Sequence, residues 1–203
     1  MSMRRFLVAS CASLLCVIPA AHAQKPAAGQ LLVATPQLTD TNFSESVVLL
    51  VHHDDDGTIG VLINRPTWVQ ASSAFADIGI FQDYSGRIFF GGPVSPTRLL
   101  VLIRNPPDSL LEGTPVLGNT YITGDPDLLA GELLADTGDS TLRVYAGHAL
   151  WAPGQLASEI ADGGWQLLPG REGMVFSSDP EELWQQALLI RPELIVARPQ
   201  SLR

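Results

Sequence analysis

The stretch Ser46–Pro66, SVVLLVHHDDDGTIGVLINRP, constrains this chain more than any other. Ser46–His52 is nearly all apolar and rich in branched residues, the composition of a buried strand. Asp54-Asp55-Asp56-Gly57 is a turn by composition, with Gly57 able to supply a positive φ. Thr58–Asn64 then returns as a partner strand. Two strand runs joined by a polar, glycine-containing loop predict a β-hairpin. Pro66, which has no N–H to donate, is expected to help stop the return strand.

Further elements follow along the chain. Leu31–Ala34 reads as a short strand ending at Thr35-Pro36. Ile88–Phe90 and Leu99–Ile103 read as two more, separated by the loop GGPVSPTR. Asp125 and Pro126 fit the N-cap and first position of a helix running to about Ala135. Thr141–Ala146 alternates as a strand does. Gln155–Ala161 reads as a helix closed by Gly163-Gly164. Ser178-Asp179-Pro180-Glu181 fits a capping box ahead of a helix that buries Leu183, Trp184, Ala187 and Leu188. The mixture lacks a regular βαβ rhythm, so the fold class is α+β rather than a doubly wound sheet.

The first 23 residues have a different character. Arg4 and Arg5 precede the apolar run FLVASCASLLCVIPA, and Ala21-His22-Ala23 follows it, the order of a cleavable signal peptide. A membrane anchor fits less well, because the run is short and interrupted by Ser10, Ser13 and Pro19. The expected organisation is a signal peptide over 1–23, a Pro/Ala linker over 24–29 and one domain over 30–203. Cleavage near Gln24 would put the mature protein in the periplasm or outside the cell, with no stable membrane span. Whether Cys11 is instead lipidated stays open. Both cysteines, Cys11 and Cys16, lie in the leader, so the mature chain would have no disulfide, thiolate metal site or cysteine nucleophile. The whole chain carries a formal charge of −9, and losing Arg4 and Arg5 makes the balance more acidic. With Lys25 as the only lysine and no basic run, composition argues against direct nucleic-acid binding.

Four pieces occur in order: GQLLVATP, GTIGVLINRP, FFGGPVSP, and AGHALWAPGQLASEI followed by GGWQLLPG. Together they closely resemble the YqgE/AlgH family of bacterial proteins, from about Gly29 to about Leu189. The resemblance implies a compact single α+β domain with a mixed β-sheet flanked by helices. It implies little about activity. The family has been named for transcriptional regulation of alginate production, with no reaction or ligand attached to it. The family pattern falls on Pro36, Phe43, Ser46, His53, Gly57, Gly60, Asn64, Arg65 and Pro66. It continues on Gly91 to Val94 and then on Gly147, Trp151, Gly154, Gln155, Leu156, Glu159, Ile160 and Trp165. Two departures stand out. His148-Ala149-Leu150 replaces the usual Tyr-Ala-Gly, and the family is generally cytoplasmic whereas this chain carries a leader. An exported copy cannot regulate cytoplasmic transcription directly.

The candidate ligand-binding residues are Asn64, Arg65, Gly91, Gly92, Trp151, Gly154 and Gln155. Arg65, fixed between Asn64 and Pro66, could clamp a carboxylate bidentately; the competing reading pairs it with an acidic residue on a neighbouring loop. Gly91-Gly92-Pro93 could form an anion nest of backbone N–H groups, or simply let a strand turn sharply. The segment Trp151–Gln155 precedes a helix whose open N–H groups could hold an anion, or it packs with Trp151 in the core. His52-His53-Asp54-Asp55-Asp56 reads as a solvated turn rather than a metal site, since adjacent strand residues face opposite ways. No catalytic, metal or cofactor residue is expected. The chain reads as a binding or regulatory protein for a small anion or a protein partner. The alternatives are a hydrolase or other enzyme built around Arg65, Gly91-Gly92 and Gln155 near a histidine, and a cytoplasmic regulator.

Overall fold

The apolar runs form strands whose two faces feed different cores. The computed structural model describes residues 25–75, 81, 84–106, 113–125 and 141–191. Strands β1 (Gln30–Ala34), β2 (Val47–Asp54) and β3 (Gly57–Leu62) lie side by side, antiparallel. Leu31, Val33, Val47, Leu49, Val51 and Val61 enter one buried cluster; Leu32, Ala34, Val48, Leu50 and Leu62 enter another. A strand sends alternate side chains to opposite faces. With both faces covered, the alternation of polar and apolar residues disappears from the sequence.

The sheet continues through β4 (Pro66–Gln70), β5 (Arg87–Phe90), β6 (Val94–Arg104), β7 (Thr114–Leu117), β8 (Thr120–Thr123), β9 (Leu142–Trp151) and β10 (Trp165–Pro169). Its main path runs β10-β1-β2-β3-β9-β6-β8-β7, with β4 and β5 branching from β9. The pairings are antiparallel except β5 with β9, so the expected mixed sheet has a single parallel pairing among the described residues. It makes one domain. The helices are short: α1 (Ala71–Ala74), α2 (Gln155–Ala161), α3 (Glu172–Val175) and α4 (Leu183–Leu188). Among the described residues they cover patches of the sheet, a looser flanking by helices than expected. Leu183 and Ala187 of α4 pack against β1 and β2, while Leu156 of α2 joins the opposite cluster with Trp165. No helix among the described residues is long and apolar enough to cross a membrane.

Several expectations need correcting. The return strand stops as expected, at Leu62 and short of Pro66, but Pro66 then opens β4, and the Phe90 N–H donates to the Arg65 carbonyl at 2.9 Å. Proline is tolerated there because it is the first residue of a strand that pairs on one side only, with β5, among the described residues. The predicted GGPVSPTR loop is strand from Val94 onward, with its register broken between Val94 and Leu99. β9 runs on to Trp151 instead of stopping at Ala146. The capping box does not form: Ser178 Oγ bonds to Asp179 Oδ2, and a 3₁₀ turn over Pro180–Glu182 leads into α4 without a side-chain cap. The helix expected after Asp125, like the leader, lies outside the described residues.

β9 changes neighbours part-way along. Val144–Ala146 pair with β5, whereas Ala149–Trp151 pair with β3. Three glycines occupy the changeover. An added Cβ at Gly91 would lie 2.3 Å from the Gly147 carbonyl oxygen, one at Gly92 2.2 Å from His148 C, and one at Gly147 2.4 Å from the Gly92 carbonyl oxygen. Only glycine allows backbones this close. The seam fixes His148, the residue after Gly147, opposite Val94.

Candidate functional site

The residues singled out from sequence form a connected set, and the side-chain polar groups of Asn64, Arg65, Trp151 and Gln155 have internal partners. Asn64 is 7% exposed. Its Oδ1 accepts the Val47 N–H at 2.8 Å and its Nδ2 donates to the Glu45 carbonyl at 2.9 Å. Those two bonds hold the backbone on both sides of Ser46, where Glu45 sits in the left-handed region at φ 54°. Arg65 Nη2 donates to the Ser44 carbonyl at 2.6 Å. Burial lowers the Arg65 pKa, and the nearby Glu45 charge opposes that effect. The internal partner of Arg65 is thus a loop carbonyl with an acid close by, where an ion pair had been the alternative to ligand binding. Asn64 and Arg65 together pin the loop between β1 and β2.

That loop delivers Phe43 to an aromatic triangle. Its ring lies 5.8 Å from those of Trp151 and Trp165, which are 5.9 Å apart. Glu159 Oε2 accepts both indole N–H groups, at 3.0 Å from Trp151 and 2.8 Å from Trp165. Gln155 Nε2 donates to Glu159 Oε1 at 2.9 Å, and its Oε1 accepts the Ala152 N–H at 3.0 Å. Gln155 therefore ties the turn at Gly154 to α2 and has both ends of its amide engaged. Trp151 is in the core, as the packing alternative required. Gly91 is likewise engaged: its N–H donates to the Ala146 carbonyl at 2.8 Å and its carbonyl accepts from Leu62. It has no N–H left for an anion nest. Glu159 and Phe43 were in the family pattern, yet their neighbourhood depends on contacts remote in sequence.

An open basin of about 600 Å³ lies elsewhere, between the β2–β3 hairpin and strands β6, β8 and β9. Val51, Ile59, Leu100 and Ile122 give it an apolar floor; His52, Arg98, Asp125 and His148 bring charge and hydrogen-bonding capacity. Val51 and His52 are adjacent, yet both line it. The register shift between Leu50 and His52 explains this, because an extra residue re-aims the strand. His52 Nε2 donates to Asp54 Oδ2 at 2.7 Å. That bond, followed by one from the Asp56 N–H, holds the Asp54 carboxyl below its ordinary pKa. His53 turns to Thr58 Oγ1 at 2.7 Å, so the adjacent histidines serve different partners. An added Cβ at Gly124 would lie 3.8 Å from Arg98 Nε, which places the guanidinium stem over that glycine. His148 is half-buried, and burial first, then the Arg98 charge, lowers its pKa. The described residues of the lining include no serine, cysteine or lysine. Arg98 escaped the sequence reading because it fell in a segment taken for loop; no local signal marks it.

Two further arginines missed from sequence are structural. Arg143, 2% exposed, donates to the carbonyls of Val175 and Ser177 and lies 4.7 Å over the Phe89 ring. Arg104 donates to the Glu172 carbonyl at 3.1 Å and lies 4.6 Å over Phe176. Between them they fasten the segment around α3 to the sheet.

Comparison with known proteins agrees with the fold. A family model described as AlgH-like matches residues 31–191. A UPF0301 protein of Streptomyces avermitilis is 38% identical over 168 residues, covering 79% of this chain and 84% of the relative. One from Shewanella frigidimarina is 30% identical over 162 residues, covering 77% and 86%. Among solved structures, the AlgH protein of Pseudomonas aeruginosa superposes with a TM-score of 0.63 at 27% identity, covering 90% of this chain and all of that one. A Corynebacterium diphtheriae protein gives 0.66 at 23% identity, covering 90% and 92%, a likeness of fold. The chain belongs to the AlgH-like family.

Proposed function

We propose that this protein is an exported binding protein rather than an enzyme, and that its ligand is a small anion held in the basin. The observation that carries this reading is the basin itself: a concave apolar floor with a few convergent polar groups is the usual form of a small-molecule site. Arg98 supplies the positive charge, and His148 supplies an imidazole beside it. Binding is favoured over catalysis because the described lining residues include no serine, cysteine or lysine nucleophile. The original candidates, Asn64, Arg65, Gly91, Trp151 and Gln155, act instead as a frame, each with internal partners. The leader over 1–23 and the acidic balance support export and argue against the regulator reading.

The enzyme alternative retains one specific support, since His148 lies in the basin, but it does so with Arg98 and not with Arg65. A thermal-shift screen of small anions on the protein as its own host accumulates it tests the binding reading. Acetate, phosphate and aliphatic carboxylates are the first probes. A dose-dependent rise in melting temperature with at least one of them is expected. No shift with any anion, together with turnover of an ester or amide library that is lost in His148→Gln, would replace binding with catalysis.

A further inference from the structure

We infer that the basin takes an aliphatic monocarboxylate, with its carboxylate between Arg98 and His148 and its tail on Val51, Ile59, Leu100 and Ile122, and that loading takes up a proton at His148. This rests on the basin being the ligand site. The lining is divided in the way such a ligand is divided. Its floor comes from the β2–β3 hairpin and from β6 and β8, where Val51 and Ile122 are buried and Ile59 and Leu100 partly so. The polar groups sit on β6 and β9, with Arg98 beside Gly124 and His148 next to Gly147 of the glycine seam. Guanidinium is a planar, permanently charged donor suited to a carboxylate. Imidazolium adds a second charge-assisted hydrogen bond.

The net charge of the rim selects a monoanion. Among the described lining residues the charged groups are one permanent cation, Arg98, one carboxylate, Asp125, and two histidines, His52 and His148, that can add charge. Among these residues a doubly charged phosphate would need a protonated histidine as well as Arg98 to balance it. A carboxylate carries one charge and leaves room for an apolar tail.

The proton follows from the same arrangement. In the unliganded basin, His148 is disfavoured as a cation by burial and by Arg98. A carboxylate entering between them cancels the Arg98 field and favours the imidazolium. Between the free and loaded pKa values of His148, binding therefore carries a proton with it. Affinity for the ionised carboxylate is flat below the free-state value, weakens as pH rises through the window, and levels off once His148 is neutral in both states.

Isothermal titration of the host-accumulated protein with sodium hexanoate tests this, run at pH 5 and pH 8 and in two buffers of different ionisation enthalpy. Acetate, inorganic phosphate and hexylamine are the comparison probes. Hexanoate is expected to bind at least about tenfold tighter than acetate, because several methylenes leave water, and tighter than phosphate or hexylamine. Its affinity should be higher at pH 5, with net proton uptake in the intermediate range. Arg98→Gln should weaken binding at least about tenfold, while His148→Gln should abolish the proton uptake; melting curves of both variants check that they fold. Hexanoate binding with no proton uptake and no pH dependence in the unaltered protein overturns the inference and leaves the binding reading standing. Tighter binding of phosphate or hexylamine overturns it as well. Binding of none of the probes overturns both.

Discussion

Asn64 shows most plainly how a residue that looks like a ligand contact becomes a structural one. A buried amide that satisfies one donor and one acceptor on a single loop cannot be truncated without orphaning both. Asn64→Ala is expected to lower stability by about 1–3 kcal/mol, read as a drop in the urea midpoint with unchanged slope. A change below a few tenths would mean that the Glu45–Val47 backbone does not need it. Glu159 stands in the same position, with two indole N–H groups on one carboxylate oxygen. Glu159→Ala should cost about 1–3 kcal/mol for leaving buried donors unpaired. Glu159→Gln, which retains an acceptor oxygen, should cost distinctly less. Chemical denaturation of the pair settles the comparison, and equal losses would mean that the carboxylate charge rather than the hydrogen bonds holds the triangle.

At the scale of elements, the seam where β9 leaves β5 for β3 determines where His148 stands. Two glycine substitutions separate close approach from backbone conformation. Gly91→Ala would drive a methyl to within 2.3 Å of a backbone oxygen that cannot swing aside. It should cost about 3 kcal/mol, the upper part of the overpacking range. Gly154, at φ 76°, has open space around its missing Cβ. Gly154→Ala should cost only about 1 kcal/mol, the left-handed backbone penalty. Thermal melts of both give the order, and a Gly154 variant as damaged as the Gly91 variant would contradict it. The hairpin and the strand at Leu31–Ala34 were legible in the sequence because their side chains are uniformly apolar and their turn carries Gly57. The run from β3 into β4 was not. Asn-Arg-Pro reads locally as a stop, and the strand does end at Leu62; only the distant β5, with Phe90 on the Arg65 carbonyl, starts β4 at Pro66. β6 was cut short for a related reason, since Ser95, at φ 48°, and Pro96 look like loop while Val94 still pairs with His148.

The whole molecule divides into a frame and a basin. The sequence marked the frame, since Asn64, Arg65, Gly91, Trp151 and Gln155 belong to contiguous motifs. It did not mark the basin, whose lining comes from six separate strands and the turn after β8, and whose His52 needs a bulge to face the basin. The basin also leaves a trace on stability without ligand. The His148 pKa is lowered in the folded state, so the unfolded chain binds that proton more readily. Between the folded value and the ordinary value of about 6.5, stability should rise with pH and fall as pH drops through the same window. A urea-midpoint series across it should show that slope in the unaltered protein and a flatter one in His148→Gln. Identical slopes would remove His148 from the linkage.

The most direct measurement of the division is a backbone-amide chemical-shift titration of the ¹⁵N-labelled protein with hexanoate. The account predicts saturable shifts at residues 51–52, 59, 98–100, 122–124 and 148, with 64–65 and 154–155 left in place. Shifts confined to 64–65 and 151–155 would contradict it and return the ligand to the residues that form the frame.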